Sequence, residues 1–182
     1  MNIFFLHKLP TIAAAMHCDK HVGKMLIESC QILATAHHIH GNGNMVTYKP
    51  THRNHPSTVW ARESRLQYNW LRELASSLSR EFFRRYGKEH KCAAIVLNEL
   101  YYPPPAMFNM PSTWRDPALA MPDEYKTADH VNAYRDFYVS KAVRMPMLYY
   151  RGKHTPPTWF VERINDILAT VNNILTSEPQ HV

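Results

Sequence analysis

Apolar residues in this chain recur mostly at helical spacing, three and four residues apart, and the exceptions sit near its start. Residues 2–6, NIFFL, form a compact apolar run that suits a short strand or an extended arm, and Pro10 interrupts it. Asp19 is a candidate N-cap for a helix running to about His38, which Gly41 and Gly43 stop. A polar loop follows from His40 to Pro56. Ser57 or Thr58 then caps a long helix with Trp60, Leu71, Leu74, Leu78 and Phe82 on one side, ending at Tyr86 before Gly87. A shorter helix is expected over Lys91 to Leu100. The proline-rich stretch from Tyr102 to Pro122 reads as an ordered loop packed by aromatics. Thr127 or Asp129 opens a further helix through Val143, closed by Pro146, and a last one runs from Pro156-Pro157 to about Thr176. The pattern predicts a mostly α fold: one helical bundle over residues 1–182, with long ordered loops and at most one short N-terminal strand.

Composition sharpens this picture. A length of 182 residues with 45% hydrophobic content suits one core. The 13 prolines against 5 glycines favour stiff loops between helices over a glycine-turned sandwich. Cys18, Cys30 and Cys92 are odd in number and widely spaced, which points away from a disulfide framework or a thiolate metal site. A reducing interior, the cytoplasm of a cell or of an infected host, is the expected location. The opening MNIFFLHKLP lacks a basic leader region, and no apolar stretch approaches the roughly 20 residues needed to span a bilayer. A net charge of +6 with 12 histidines besides favours a polyanionic partner.

Candidate chemistry lies on the first long helix. At about 100° per residue, His17, His21, Lys24, Glu28, Gln31 and Thr35 share one narrow stripe on an otherwise apolar cylinder. Any helix with one solvated face shows such a stripe. A lone carboxylate on a helix this apolar nevertheless needs a partner, and Lys24 and His21 are placed to hold Glu28 ionised. Burial would instead raise its pKa and suit it to general acid–base work. His17 and His21 have a metal-ligand spacing, but no HExxH motif accompanies them, and no metal or cofactor is implied.

A second constellation is basic. His52, Arg53, Asn54, His55, Arg62 and Arg65 fall in a loop and the first turns of the next helix, where phosphates are readily held. Arg62, Arg65, Asn69, Arg72, Ser76 and Arg80 line up as one polar face, and Arg84, Arg85, Lys88 and Lys91 surround Tyr86 and His90. Such runs are commonly solvated faces; interleaved aromatics turn the reading towards a nucleic-acid groove. A base taken out of a duplex needs side chains to hold it, for which Asn54, Trp114, Tyr125 and Tyr134 are candidates.

The segment CDKHVGKMLIE resembles the active-site helix of the phage endonuclease V family, the pyrimidine-dimer DNA glycosylases, with Asp19, His21 and Glu28 on the family's Asp-x-His and catalytic glutamate. The blocks THRNHPS, RYGKEHK, MPDEYK, AYRDFY, YYRGKH and PPTW are similar to segments of that family or of short phage proteins described as dimer-glycosylase-like, so the resemblance touches most of residues 17–160. It implies a DNA-base-acting enzyme with Glu28 at its centre, tuned by His21 and Lys24, and with phosphates held by Arg62 and Arg65. The family's nucleophile is an α-amine placed just ahead of this helix. Here the N-terminal segment is longer, Asn2 disfavours methionine removal, and Ile27 stands where the family has arginine, so amine attack and strand cleavage are not carried over. Two alternatives stay open. One is a phage transferase joining an amino acid or similar group to activated 5-hydroxymethyluracil in DNA. The other is a DNA-binding module without catalysis.

Overall fold

A computed structural model describes residues 1–110 and 112–177, and the described residues are helical and loop with no strand. Seven α-helices occur among them: α1 (Pro10–Ala15), α2 (Asp19–Ile39), α3 (Pro56–Arg62), α4 (Arg65–Tyr86), α5 (Ala93–Asn98), α6 (His130–Val139) and α7 (Thr158–Ser177). The expected mostly α architecture is therefore present. No helix among the described residues is long and apolar enough to cross a membrane.

The centre of the molecule is the antiparallel pair α2 and α4. Val22, Met25, Leu26 and Leu33 of α2 and Leu71, Leu74 and Leu78 of α4 are all buried in one core. Gly23 allows close approach, since a Cβ there would meet the Phe82 ring at 3.3 Å. Polar ties lock both ends of the pair. At one end Arg85 donates to the carbonyl oxygens of Ala15 and His17, and pairs with Asp19 and Glu81 at 3.1 Å each. At the other, the His37 ring lies 2.9 Å from the Tyr68 hydroxyl, which donates to the carbonyl of Leu100. Asp19 begins α2 with Cys18 as its cap residue, and its carboxylate also accepts the backbone N–H groups of Tyr150 and Arg151. Gly87 closes α4 in the left-handed conformation that favours glycine (φ 67°).

One alternative is decided and four expectations are corrected, the first being Asp19, which lies inside α2 while Cys18 holds the cap position. NIFFL is the extended arm and not a strand: Ile3, Phe4, Phe5 and Leu6 are buried, while the Asn2 amide oxygen accepts the N–H groups of Ile3 and Phe4. Pro10 begins α1, because a missing N–H is harmless in a first helical turn. His55, ahead of Pro56, caps α3 by accepting from the Ser57 N–H, so neither Ser57 nor Thr58 does.

The fourth correction concerns the long helix from residue 57 to 86, which is two helices. Ser64 is extended (φ −153°, ψ 145°) and its side chain accepts the Leu66 N–H, starting α4 afresh. Gln67 donates to the carbonyl of Trp60, and the His40 ring meets the carbonyl of Arg62, so the end of α3 finds its partners from outside. The proposed single basic face through Arg62 and Arg65 is broken at this joint. Ser64→Ala should lower the unfolding free energy by about 1 kcal/mol in urea melts, whereas Ser64→Gly should cost only a few tenths.

The region from Tyr102 to Pro122 is an ordered loop wherever it is described. Trp114 packs against Trp60 and Trp70 at centroid distances of 5.9 and 6.4 Å, and the Trp60 indole donates to the carbonyl of Arg115. Asp129 caps α6 by accepting from Asn132, and a 3-10 turn over Ser140–Val143 continues it.

Candidate active site

Apart from the exposed Lys24, the polar stripe of α2 is largely covered. The N-terminal arm lies along it: Phe4 covers His21 at 5.0 Å between ring centroids, and Asn2 reaches Glu28. Beyond them Thr35 exchanges hydrogen bonds with the backbone of Thr51. Burying this stripe satisfies one apolar arm and one polar row together, because the arm brings backbone donors as well as hydrophobic side chains.

Glu28 is the focus. Its side chain keeps only 14% of its surface exposed, and Oε2 accepts the Asn2 N–H at 2.7 Å. The Met1 nitrogen stands 4.0 Å from the same oxygen, and Lys24 Nζ stands 3.7 Å from Oε1. The Met1 side chain is itself buried, its sulfur accepting from the Thr58 hydroxyl. Nitrogen donors therefore surround this carboxylate, as an anion shielded from water requires. The expected pairing with Lys24 is present.

His21 plays a different part from the one expected. It is packed between Phe4 and Tyr138 with Nδ1 lacking a hydrogen-bond partner, and it makes no bond to Glu28. Burial, reinforced by the nearby charges of His17, Lys24 and Lys141, lowers its pKa to about 3. A neutral ring of this kind neither pairs with a carboxylate nor holds it ionised. His17 is fully buried, its Nδ1 2.7 Å from the carbonyl of Ala13, and burial lowers its pKa to about 4. Among the described residues no group of three His, Cys, Asp or Glu side chains is placed to hold a metal ion.

Of the basic constellation, part converges on Glu28. His52, Arg53 and Asn54 are exposed and His55 is half-buried on the loop leading into α3. Burial lowers the pKa of His55, the Met1 amine and His52 push in the same direction, and Glu28 opposes them, so these groups share one neighbourhood. His55 Nδ1 accepts from Ser57, which leaves Nε2 as the ring's N–H in the neutral form. Lys141 and Arg144 were not singled out from the sequence. Burial and then the neighbouring charges of Arg144 and Lys24 lower the pKa of Lys141, which sits 3.5 Å over the Phe137 ring. No spacing signal marks them, since well over a hundred residues separate them from Lys24.

Other candidates fall elsewhere. The Arg62 guanidinium is turned inward onto the carbonyl of Arg53 and fixes that loop. Arg65 lines a separate cavity against Phe108. Lys88 and Lys91 are exposed on the loop whose His90 faces Gly23, about 140° around α2 from Glu28. Tyr134 is fully buried and donates to the carbonyl of Ala118, so it is no platform for a base. Tyr125 packs on Phe137, and Trp114 keeps one partly open side. Asn54 lines a cavity of about 410 Å³ together with Trp60, Glu63 and Arg115, the last two ion-paired.

The expectation that amine chemistry lies out of reach rested on the longer N-terminal segment, on Asn2 as a poor residue for methionine removal and on Ile27 in place of the family's arginine, and the structure bears on the first of these. That segment folds back, and its nitrogen ends beside Glu28. Compared with known protein families, curated proteins and solved structures, the chain has no match.

Proposed function

We propose that the chain is a DNA-base-acting enzyme of the glycosylase type, with Glu28 at the reacting centre. The observation that carries this reading is the shielded Glu28 carboxylate with the nitrogens of Met1 and Asn2 at 4.0 and 2.7 Å. Cleaving a base from its sugar builds positive charge at the anomeric carbon, and a carboxylate held in a dry, donor-rich setting is suited to stabilise it. The Met1 amine, 4.0 Å from Glu28 Oε2, would attack that carbon, with the base leaving on the glycosidic electron pair and Glu28 accepting the amine's proton. Lys24, Lys141, Arg144, His52 and Arg53 supply the positive rim that attracts the DNA backbone.

The arm covers Glu28, and four cavities of about 380 to 470 Å³ are lined by other residues. A flipped nucleotide therefore reaches the carboxylate only as Met1 moves aside from Thr58. The transferase alternative took its motive from a displaced amine. With that nitrogen beside Glu28 the motive falls away, and glycosylase chemistry is preferred.

The test is incubation with DNA carrying ultraviolet-induced pyrimidine dimers, with and without borohydride, followed by mass spectrometry. The expected result is a detached base together with a borohydride-stable protein–DNA adduct mapped to the first residues of the chain. Base release with no trapped adduct would assign the attack to water in place of the amine. A heavier nucleoside with no base released would overturn the glycosylase reading in favour of group transfer. Unaltered nucleosides would leave only DNA binding.

A further inference from the structure

A second cavity, of about 470 Å³, opens between the first turns of α4 and the loop that follows α5. Its walls carry Arg65, Asn69, Arg72, Tyr101, Tyr102 and Phe108, with no carboxylate among the lining residues. The Arg65 guanidinium lies 4.8 Å from the Phe108 ring centroid, and that of Arg72 lies 5.0 Å from the Tyr101 centroid. Tyr102 stands edge-on to Tyr101 at 4.8 Å and is 72% exposed.

The polar groups here are largely unspent. Among the described residues, the Arg65 side chain makes no hydrogen bond or ion pair, and the Asn69 amide and the hydroxyls of Tyr101 and Tyr102 have no hydrogen-bond partner. Arg72 has Glu73 alone, at 3.0 Å, and Glu73 is shared with Arg80. Several other arginines of this fold are committed: Arg85 to two carboxylates and two carbonyls, Arg62 to a carbonyl, Arg115 to Glu63. Two cations parked on aromatic rings beside open aromatic faces match a ligand that is planar at one end and doubly acceptor-rich at the other.

We propose that this cavity binds a nucleoside 5′-phosphate unit, with its base stacked on Tyr102 and Tyr101 and its phosphate held by Arg65 and Arg72. Guanidinium groups meet phosphate oxygens in pairs, and base–aromatic stacking tolerates any base. Asn69 is placed to add a hydrogen bond to the sugar or base. The unit can be a free nucleotide or one nucleotide of a single strand, because both present the same base and phosphate.

The test is binding of thymidine 5′-monophosphate and of a four-nucleotide thymidylate strand, followed by calorimetry and by the aromatic NMR signals of Tyr101, Tyr102 and Phe108. Saturable binding that shifts those signals is expected. Thymidine alone and inorganic phosphate alone should each bind at least about tenfold more weakly, since each loses either the phosphate grip or the stack. Tyr102→Ala, at an exposed position that the fold does not need, should weaken binding by about fivefold or more. The Arg65→Ala/Arg72→Ala pair should abolish it. Tighter binding of the strand would assign the site to single-stranded DNA, and tighter binding of the mononucleotide to a free nucleotide. Absence of saturable binding, phosphate binding as tightly as the nucleotide, or affinity indifferent to these substitutions would each overturn the proposal. The assay reads binding and needs no base release, so its outcome is independent of the chemistry at Glu28.

Discussion

Glu28→Gln is expected to reduce base release by about a thousandfold while leaving the fold and the affinity for DNA almost unchanged. The amide is nearly isosteric with the carboxylate, and its oxygen can still accept the Asn2 N–H that now reaches Oε2 at 2.7 Å. The arm therefore keeps its anchor. What disappears is the negative charge, which serves both to receive a proton from an attacking amine and to stabilise the cationic sugar. Loss of the pairings with Lys24 and the Met1 nitrogen, at 3.7 and 4.0 Å, is a modest stability effect because Lys24 is largely exposed. Activity is read by base release in single-turnover experiments, and arm docking by the melting temperature. Undiminished turnover by this variant would remove Glu28 from the reaction. Glu28→Ala is the less clean variant, since it also strips the Asn2 N–H of its acceptor and leaves a buried donor unpaired.

The second large effect is acid unfolding near mildly acidic pH. His17, His21 and His37 are all buried, and burial lowers their pKa values to about 4, 3 and 4. The folded protein keeps these rings neutral, whereas the unfolded chain protonates them from about pH 6.5 downward. Their depressed values thus favour the unfolded state as pH falls: stability is intact above about 6.5 and declines through the window down to 3–4. Well inside that window each ring contributes a slope of about 1.4 kcal/mol per pH unit, and the three together about 4. A domain with ordinary total stability of about 5–15 kcal/mol would then unfold before reaching the folded-state pKa values. Urea melts between pH 7 and 4.5 measure the slope. His21→Phe keeps an aromatic ring between Phe4 and Tyr138 and should flatten the slope by about one third. Stability that is flat across this range would contradict the burial of these rings as neutral groups.

Much of the scaffold was legible in the chain. The 3.6-residue recurrence of Leu, Val and Met, Gly87 after Tyr86, Asp129 ahead of α6 and the Pro156-Pro157 pair ahead of α7 are local signals, and they act over a turn or two. They placed four helices, α2, α5, α6 and α7, to within a few residues. They failed at Ser64, where the helical pattern of apolar residues continues across a break. That break depends on Gln67 and His40 reaching the carbonyls of Trp60 and Arg62, and no local pattern contains such a partner. Pro10 was misjudged for the same kind of reason, since proline both ends helices and begins them.

The candidate site divides along the same line. The sequence by itself singled out Glu28 as an acid on an apolar helix and paired it with Lys24, because side chains four apart on a helix are neighbours whatever surrounds them. It also determined the mostly α class and the basic charge. Only the tertiary structure decided what covers the stripe: the arm that brings Met1 and Asn2 to Glu28, the Phe4–Tyr138 sandwich that makes His21 a neutral packing residue, and the approach of Lys141 to Lys24. Helical periodicity encodes which residues share a face. The identity of the segment that comes to lie on that face depends on chain reversals and long-range packing, in which side chains far apart in the chain compete for the same buried surface.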